Sequence, residues 1–139
     1  VASVKSINYL VARLALREAL ARGADEALFV AADGTVLEGT RSNVFCVFDG
    51  VLTTPPKAAA LLPGVVRDVV IACAADRGVP FRERAFRVED VFAADEVFLT
   101  SSLRGPRAVG TFDGRPSGGP KRPVFEMLDA GYRARLAAD

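Results

Sequence analysis

The sequence predicts an α+β domain, a mixed α/β sheet with covering helices. Three observations carry that prediction: β-rich runs that fold back at Asp-Gly pairs, stretches of helical apolar spacing on either side of them, and a glycine just after each of the first two helical stretches. At 139 residues the chain has the size of one domain able to bury its own core, residues 1–139 being a single unit. Half the residues are hydrophobic and the formal net charge is only +1, a balance typical of globular proteins.

Residues 8–22 place Leu10, Val11, Leu14 and Leu20 at helical spacing; Ser6 or Asn8 offers a cap and Gly23 a stop. Residues 27–31 and 35–37 form a hairpin around Ala32-Asp33-Gly34, since glycine accepts the positive φ of a tight turn. A second hairpin joins residues 44–48 to 51–54 through Asp49-Gly50. Pro55 and Pro56 stop pairing, residues 57–63 are a loop, and residues 64–77 are a helix ending at Gly78. Residues 80–87 read as strand, 88–94 as a short helix, and 96–100 as a buried strand that runs into the polar turn Thr100-Ser101-Ser102. Residues 107–112 with Asp113-Gly114 suggest a last strand or hairpin, 116–123 a loop, and 124–138 a final helix.

Several function classes fall away on composition. The chain has no histidine, so imidazole metal ligation is excluded and proton transfer falls to lysine, carboxylates, tyrosine or water; no metal site is expected. Basic and acidic residues are interspersed, with no basic stripe for a nucleic-acid partner. The longest apolar run, residues 69–75, is far too short to cross a membrane. Cys46 and Cys73 lack close pairing and read as buried apolar fillers in a reducing compartment, and with no signal sequence the cytoplasm is the expected location.

A few residues stand out chemically, each with an ordinary alternative. Lys5, between Val4 and Ile7, is either a solvated lysine or a desolvated Schiff-base amine. Gly64 starts a helix whose free N–H groups, with those of Val65 and Val66, form an anion site, or it is simply an acceptable cap. Thr100-Ser101-Ser102 either adds hydroxyl and N–H donors to that anion or is a solvated turn. Glu38 is an exposed carboxylate after a strand, or a permanent counter-charge to a protonated ring nitrogen; Asn43 is otherwise a turn residue bonded to backbone.

The order of these segments resembles one family. Val4-Lys5-Ser6-Ile7-Asn8-Tyr9, Ala24-Asp25-Glu26-Ala27, Glu38-Gly39-Thr40-Arg41-Ser42-Asn43-Val44-Phe45, Leu62-Pro63-Gly64-Val65-Val66-Arg67 and Ala94-Asp95-Glu96-Val97-Phe98 resemble the class IV, or fold type IV, pyridoxal-phosphate aminotransferases. That family includes branched-chain and D-amino-acid aminotransferases and 4-amino-4-deoxychorismate lyase. The resemblance implies that the chain matches the C-terminal cofactor-binding domain and that pyridoxal 5'-phosphate is the cofactor. It implies that Lys5 forms the internal aldimine and carries the substrate proton, and that Glu38 bonds the pyridine nitrogen. Gly64, Val65 and Val66 would hold the phosphate, Val65-Val66 standing where the family has Ile-Thr, with Ser102 matching a phosphate-binding threonine. Tyr9 lies near a tyrosine that some members place on the cofactor's phenolic oxygen, while Ser42 and Asn43 orient the Glu38 loop. Ser101, Leu103 and Arg104 would face substrate, Arg104 gripping a carboxylate with paired hydrogen bonds. The compact Lys5 to Tyr9 segment looks more like the lyase and D-amino-acid types than the branched-chain ones. The resemblance further implies a homodimer, an amino-acid or amino-chorismate-type substrate, and an N-terminal domain that residues 1–139 do not represent. The alternative is a non-catalytic binding or interaction domain that has kept the fold.

Overall fold

The computed structural model describes residues 7–138. Helix α1 (Leu10–Ala21) is followed by the hairpin β1 (Leu28–Val30) and β2 (Val36–Gly39). The hairpin β3 (Asn43–Phe48) and β4 (Val51–Thr54) comes next, then α2 (Val65–Asp76), β5 (Phe81–Glu83) and α3 (Val88–Ala93). The chain closes with β6 (Glu96–Ser101), β7 (Gly105–Ala108), the short hairpin β8 (Thr111–Phe112) and β9 (Arg115–Pro116), and α4 (Pro123–Leu136). Asp49 (φ 50°) and Gly50 (φ 75°) both take the left-handed conformation that the β3–β4 turn demands.

A five-stranded sheet in the order β5-β4-β3-β6-β7 forms the centre. Its pairs are antiparallel except β4 with β5, which run parallel because α2 carries the chain back along one face. Side chains alternate between the faces. Phe45, Val47, Leu52 and Phe98 meet Val66, Val70 and Cys73 of α2 and Leu128 of α4. Val44, Cys46 and Val97 meet Val36 of β2, Phe86 and Val91 of α3. The sheet is thus the middle of three layers, and the two cysteines are buried, free thiols on opposite faces.

The helices lie where the sequence places them, while the strands differ in their bounds. Of the strand or hairpin expected at residues 107–112 with Asp113-Gly114, the hairpin forms, β8 pairing with β9 across that turn, and β7, which begins at Gly105 and pairs with β6, ends before Val109-Gly110. Residues 80–87 hold only a three-residue strand, after which Phe86 turns into the core beneath β2 and its carbonyl accepts Val36 N–H (2.9 Å). Thr100 and Ser101 belong to β6 rather than to a turn, their backbone pairing with Pro106 and Gly105, so the polar turn is confined to residues 102–104.

Helix α1 stands apart from this packing. It has no buried residue, and Leu10, Val11, Leu14 and Leu20 are all exposed. Asn8 Oδ1 accepts the Leu10 N–H (3.3 Å), but the N-cap position is taken by Tyr9, which makes no side-chain cap.

Candidate active site

Four chain segments converge at one end of the sheet: the end of β2, the start of β3, the end of β6 and the start of α2. Glu38 is inside β2 rather than after it, half-buried. Its Oε2 accepts the Leu62 N–H (3.0 Å) and the Asn43 amide (3.4 Å). The same Asn43 nitrogen donates to the Leu62 carbonyl (2.8 Å), so one amide joins the Glu38 carboxylate to the loop that starts α2. Burial pushes the Glu38 carboxyl above its ordinary range, and the Leu62 N–H only partly opposes it.

Gly64 is the N-cap of α2 and makes no side-chain cap, which leaves the first N–H groups of the helix for a ligand. A glycine is required there by packing: a Cβ would stand 2.2 Å from Asn43 Oδ1. Val65 is exposed, whereas the Val66 side chain is in the core under the sheet. At Val66, therefore, the backbone is what the residue offers to a ligand.

Thr100 is registered directly across from Asn43, is buried, and its hydroxyl has no hydrogen-bond partner among the described residues. An orphaned buried hydroxyl costs free energy unless something bonds it. Together with the open helix start and the desolvated carboxylate, it fits a ligand with an anionic group at one end and a protonated ring nitrogen at the other. These residues fit pyridoxal phosphate, whose phosphate suits the α2 terminus and whose ring nitrogen suits Glu38.

The expected residues do not all share one place. Glu38, Asn43 and the Gly64 loop are joined by the hydrogen bonds above. Ser42, Ser101 and Arg104 instead line a cavity of about 860 Å³ on the α3 face of the sheet, floored by Val91, Val97 and Leu99, with Arg41 at its side. Ser102, Leu103 and Arg104 are exposed on the β6–β7 turn and border a smaller recess of about 250 Å³ beside Tyr132 of α4. Tyr9 is exposed at the start of α1. Lys5 lies outside the described residues.

Two residues were passed over in the sequence because nothing local marks them. Glu26, quoted there only as part of a motif, accepts hydrogen bonds from the turn between Glu38 and Asn43. Arg67 is fully buried one residue past Val66, donating to the Pro55 carbonyl (3.0 Å) and Glu83 (2.8 Å). It thereby ties Pro55 and β5 to α2 and holds Glu83 below the usual carboxylate range. An arginine in a helix reads as solvated; only the long-range partners show otherwise.

Comparison with known proteins identifies the family. The family described as amino-transferase class IV matches residues 1–111. The branched-chain-amino-acid aminotransferase of Pseudomonas aeruginosa is 37% identical over 125 residues, covering 89% of this chain and 40% of that protein. The bifunctional aminodeoxychorismate lyase / D-amino acid transaminase of Mycobacterium tuberculosis is 34% identical and covers 100% of this chain and 50% of that protein. Among solved structures, the PLP-bound form of a hypothetical aminotransferase from Mycobacterium tuberculosis superposes with TM-score 0.91 at 35% identity, covering 99% of this chain and 48% of that one. The chain spans half or less of the length of these relatives. The fold and the match over residues 1–111 lead to one conclusion: the chain belongs to the class IV aminotransferase family.

Proposed function

We propose that the complete protein is a pyridoxal-phosphate-dependent enzyme acting on an amino-acid-type substrate, either an aminotransferase or a 4-amino-4-deoxychorismate lyase-like enzyme. The observation that carries the reading is the Asn43 amide, which bridges a desolvated Glu38 to the open start of α2. When bound, pyridoxal phosphate supplies an electron-withdrawing ring that makes the substrate's α-carbon acidic.

In this reading the chain's own residues bind, orient and move protons. The N–H groups of Gly64, Val65 and Val66 hold the phosphate, joined by Ser102 from the β6–β7 turn. Glu38 keeps the ring nitrogen protonated, its negative charge favoured by the cation it faces. Asn43 and Ser42 fix the Glu38 segment. Lys5 binds the cofactor covalently and carries the α-proton, with Tyr9 near the phenolic oxygen. Ser101, Leu103 and Arg104 meet the substrate, Arg104 pairing with its carboxylate. The active protein is a cytoplasmic homodimer completed by an N-terminal domain.

The test is direct. Pyridoxal phosphate added to the complete protein should give a visible absorption band, and borohydride should trap the label on Lys5. No label on Lys5 refutes the reading; a label with no turnover on any amino donor favours a binding domain that has lost catalysis. Light scattering showing a monomer at high concentration would remove the dimer.

A further inference from the structure

We infer that Glu26 is a positioning residue that holds Glu38 in line with the cofactor's ring nitrogen by clamping the turn between Glu38 and Asn43. The inference rests on the function proposed above. Glu26 precedes β1, yet its carboxylate reaches the far side of the β2–β3 connection. Oε1 accepts the Ala27 N–H (3.0 Å), the Thr40 N–H (3.2 Å) and the Thr40 hydroxyl, and Oε2 accepts the Ser42 hydroxyl (3.0 Å). Among the described residues no basic side chain forms an ion pair with Glu26. Apart from the neighbouring Ala27 N–H, its acceptor capacity is directed at the donors of one turn, where carboxylate acceptors give short, strong hydrogen bonds.

The turn has little freedom left. Gly39 N–H donates to the Ser42 carbonyl (2.7 Å) and Thr40 N–H also reaches the Ala27 carbonyl (3.0 Å). A Cβ on Gly39 would stand 2.1 Å from Ser42 Oγ and 3.3 Å from Glu26 Cδ, so the glycine backbone packs straight against the clamp. The two residues that flank this turn, Glu38 and Asn43, are the pair that converges on Leu62. Fixing the turn fixes the distance between β2 and β3 at the site, and with it the aim of the Glu38 carboxylate. The phosphate end of the site is built on α2 and does not touch Glu26. A positioning role acts directly on the ring-nitrogen end, which the turn adjoins, and reaches the phosphate end only at second hand through Asn43.

That asymmetry defines the experiment. The complete protein and its Glu26→Ala variant are titrated at equilibrium with pyridoxal phosphate and with its 1-deaza analogue, which carries C–H in place of the ring nitrogen. The variant should bind pyridoxal phosphate ~10-fold more weakly, the effect of spoiling one hydrogen bond to a charged group, and the analogue within about 2-fold of wild type. Glu26→Gln should recover most of the loss, because its carbonyl accepts the same three donors and its amide donates to Ser42 Oγ. Equal weakening of both ligands, or no recovery by glutamine, overturns the inference. Should Glu26→Ala not fold, Ser42→Ala removes one of the clamped donors and must show the same selectivity in smaller measure. Wild-type protein that binds neither ligand overturns the functional reading as well, a result distinct from loss of selectivity alone.

Discussion

Gly64→Ala tests the joint between Asn43 and α2. The new methyl would stand 2.2 Å from Asn43 Oδ1, whereas ordinary contact begins at 3.4 Å, so the amide must swing away. The backbone offers no resistance of its own, because Gly64 has φ −75° and ψ 143°, a conformation open to alanine. The cost is therefore the Asn43 bonds to the Leu62 carbonyl and, more weakly at 3.4 Å, to Glu38. One neutral bond and one long bond to a carboxylate sum to about 2 kcal/mol. Asn43→Ala should cost a similar amount, about 2 kcal/mol. In that background the methyl has room, so adding Gly64→Ala should change stability by no more than about 0.5 kcal/mol. Urea unfolding followed by far-UV circular dichroism measures all four corners of the cycle. Additive losses, or a Gly64→Ala chain as stable as wild type, would show that Asn43 does not hold the loop as described.

Further expectations follow from the same structure. Arg67→Ala removes a fully buried guanidinium and leaves the Pro55 carbonyl unpaired; a loss of about 3–5 kcal/mol is expected in denaturant titration, and less than about 1 kcal/mol would refute the tie. Glu38 has a carboxyl pKa raised by burial, so its contribution to stability is complete below the ordinary value of 4.5 and is lost as pH rises through the folded value. Without cofactor, the melting temperature of Glu38→Gln relative to wild type should therefore climb from pH 4 to pH 7, and a flat difference contradicts a desolvated Glu38. The same substitution should weaken pyridoxal phosphate by ~10-fold in equilibrium binding. Cys46 is buried and its thiol is pushed far up by desolvation, so native protein should resist maleimide labelling at Cys46 until it unfolds; ready labelling would place the thiol at the surface.

Much of the fold is legible because its signals are local. Asp49-Gly50 announces its turn by the one chemistry that tolerates two successive positive φ values, and Gly23 and Gly78 mark helix ends within a residue or two of the observed ones. Glu96 shows where such reading stops. It begins a hydrophobic strand, yet its carboxylate accepts the Val124 (3.0 Å) and Phe125 (2.8 Å) N–H groups and caps α4 from 28 and 29 residues away. No window on the sequence contains both partners. The site divides in the same way: Glu38, Asn43 and Gly64 belong to recognisable segments, whereas the orphan hydroxyl of Thr100 and the clamp of Glu26 depend on strand register and on a contact spanning the β1–β2 hairpin.

The pairing of Asn43 with Thr100 also has a consequence for the order of folding. The β3–β4 hairpin closes over two residues, but β3 meets β6 only after more than forty residues of intervening chain, from Val47 to Glu96, have been looped out. Loop closure of that length opposes the pairing until the sheet's other contacts can reward it, so local hairpins precede it. Thr100 is brought opposite Asn43 by that same long-range pairing, not by any local hairpin. A ligand that needs both residues cannot template the fold; it selects chains that have finished, and excess cofactor should slow unfolding while leaving the refolding rate of the chain unchanged.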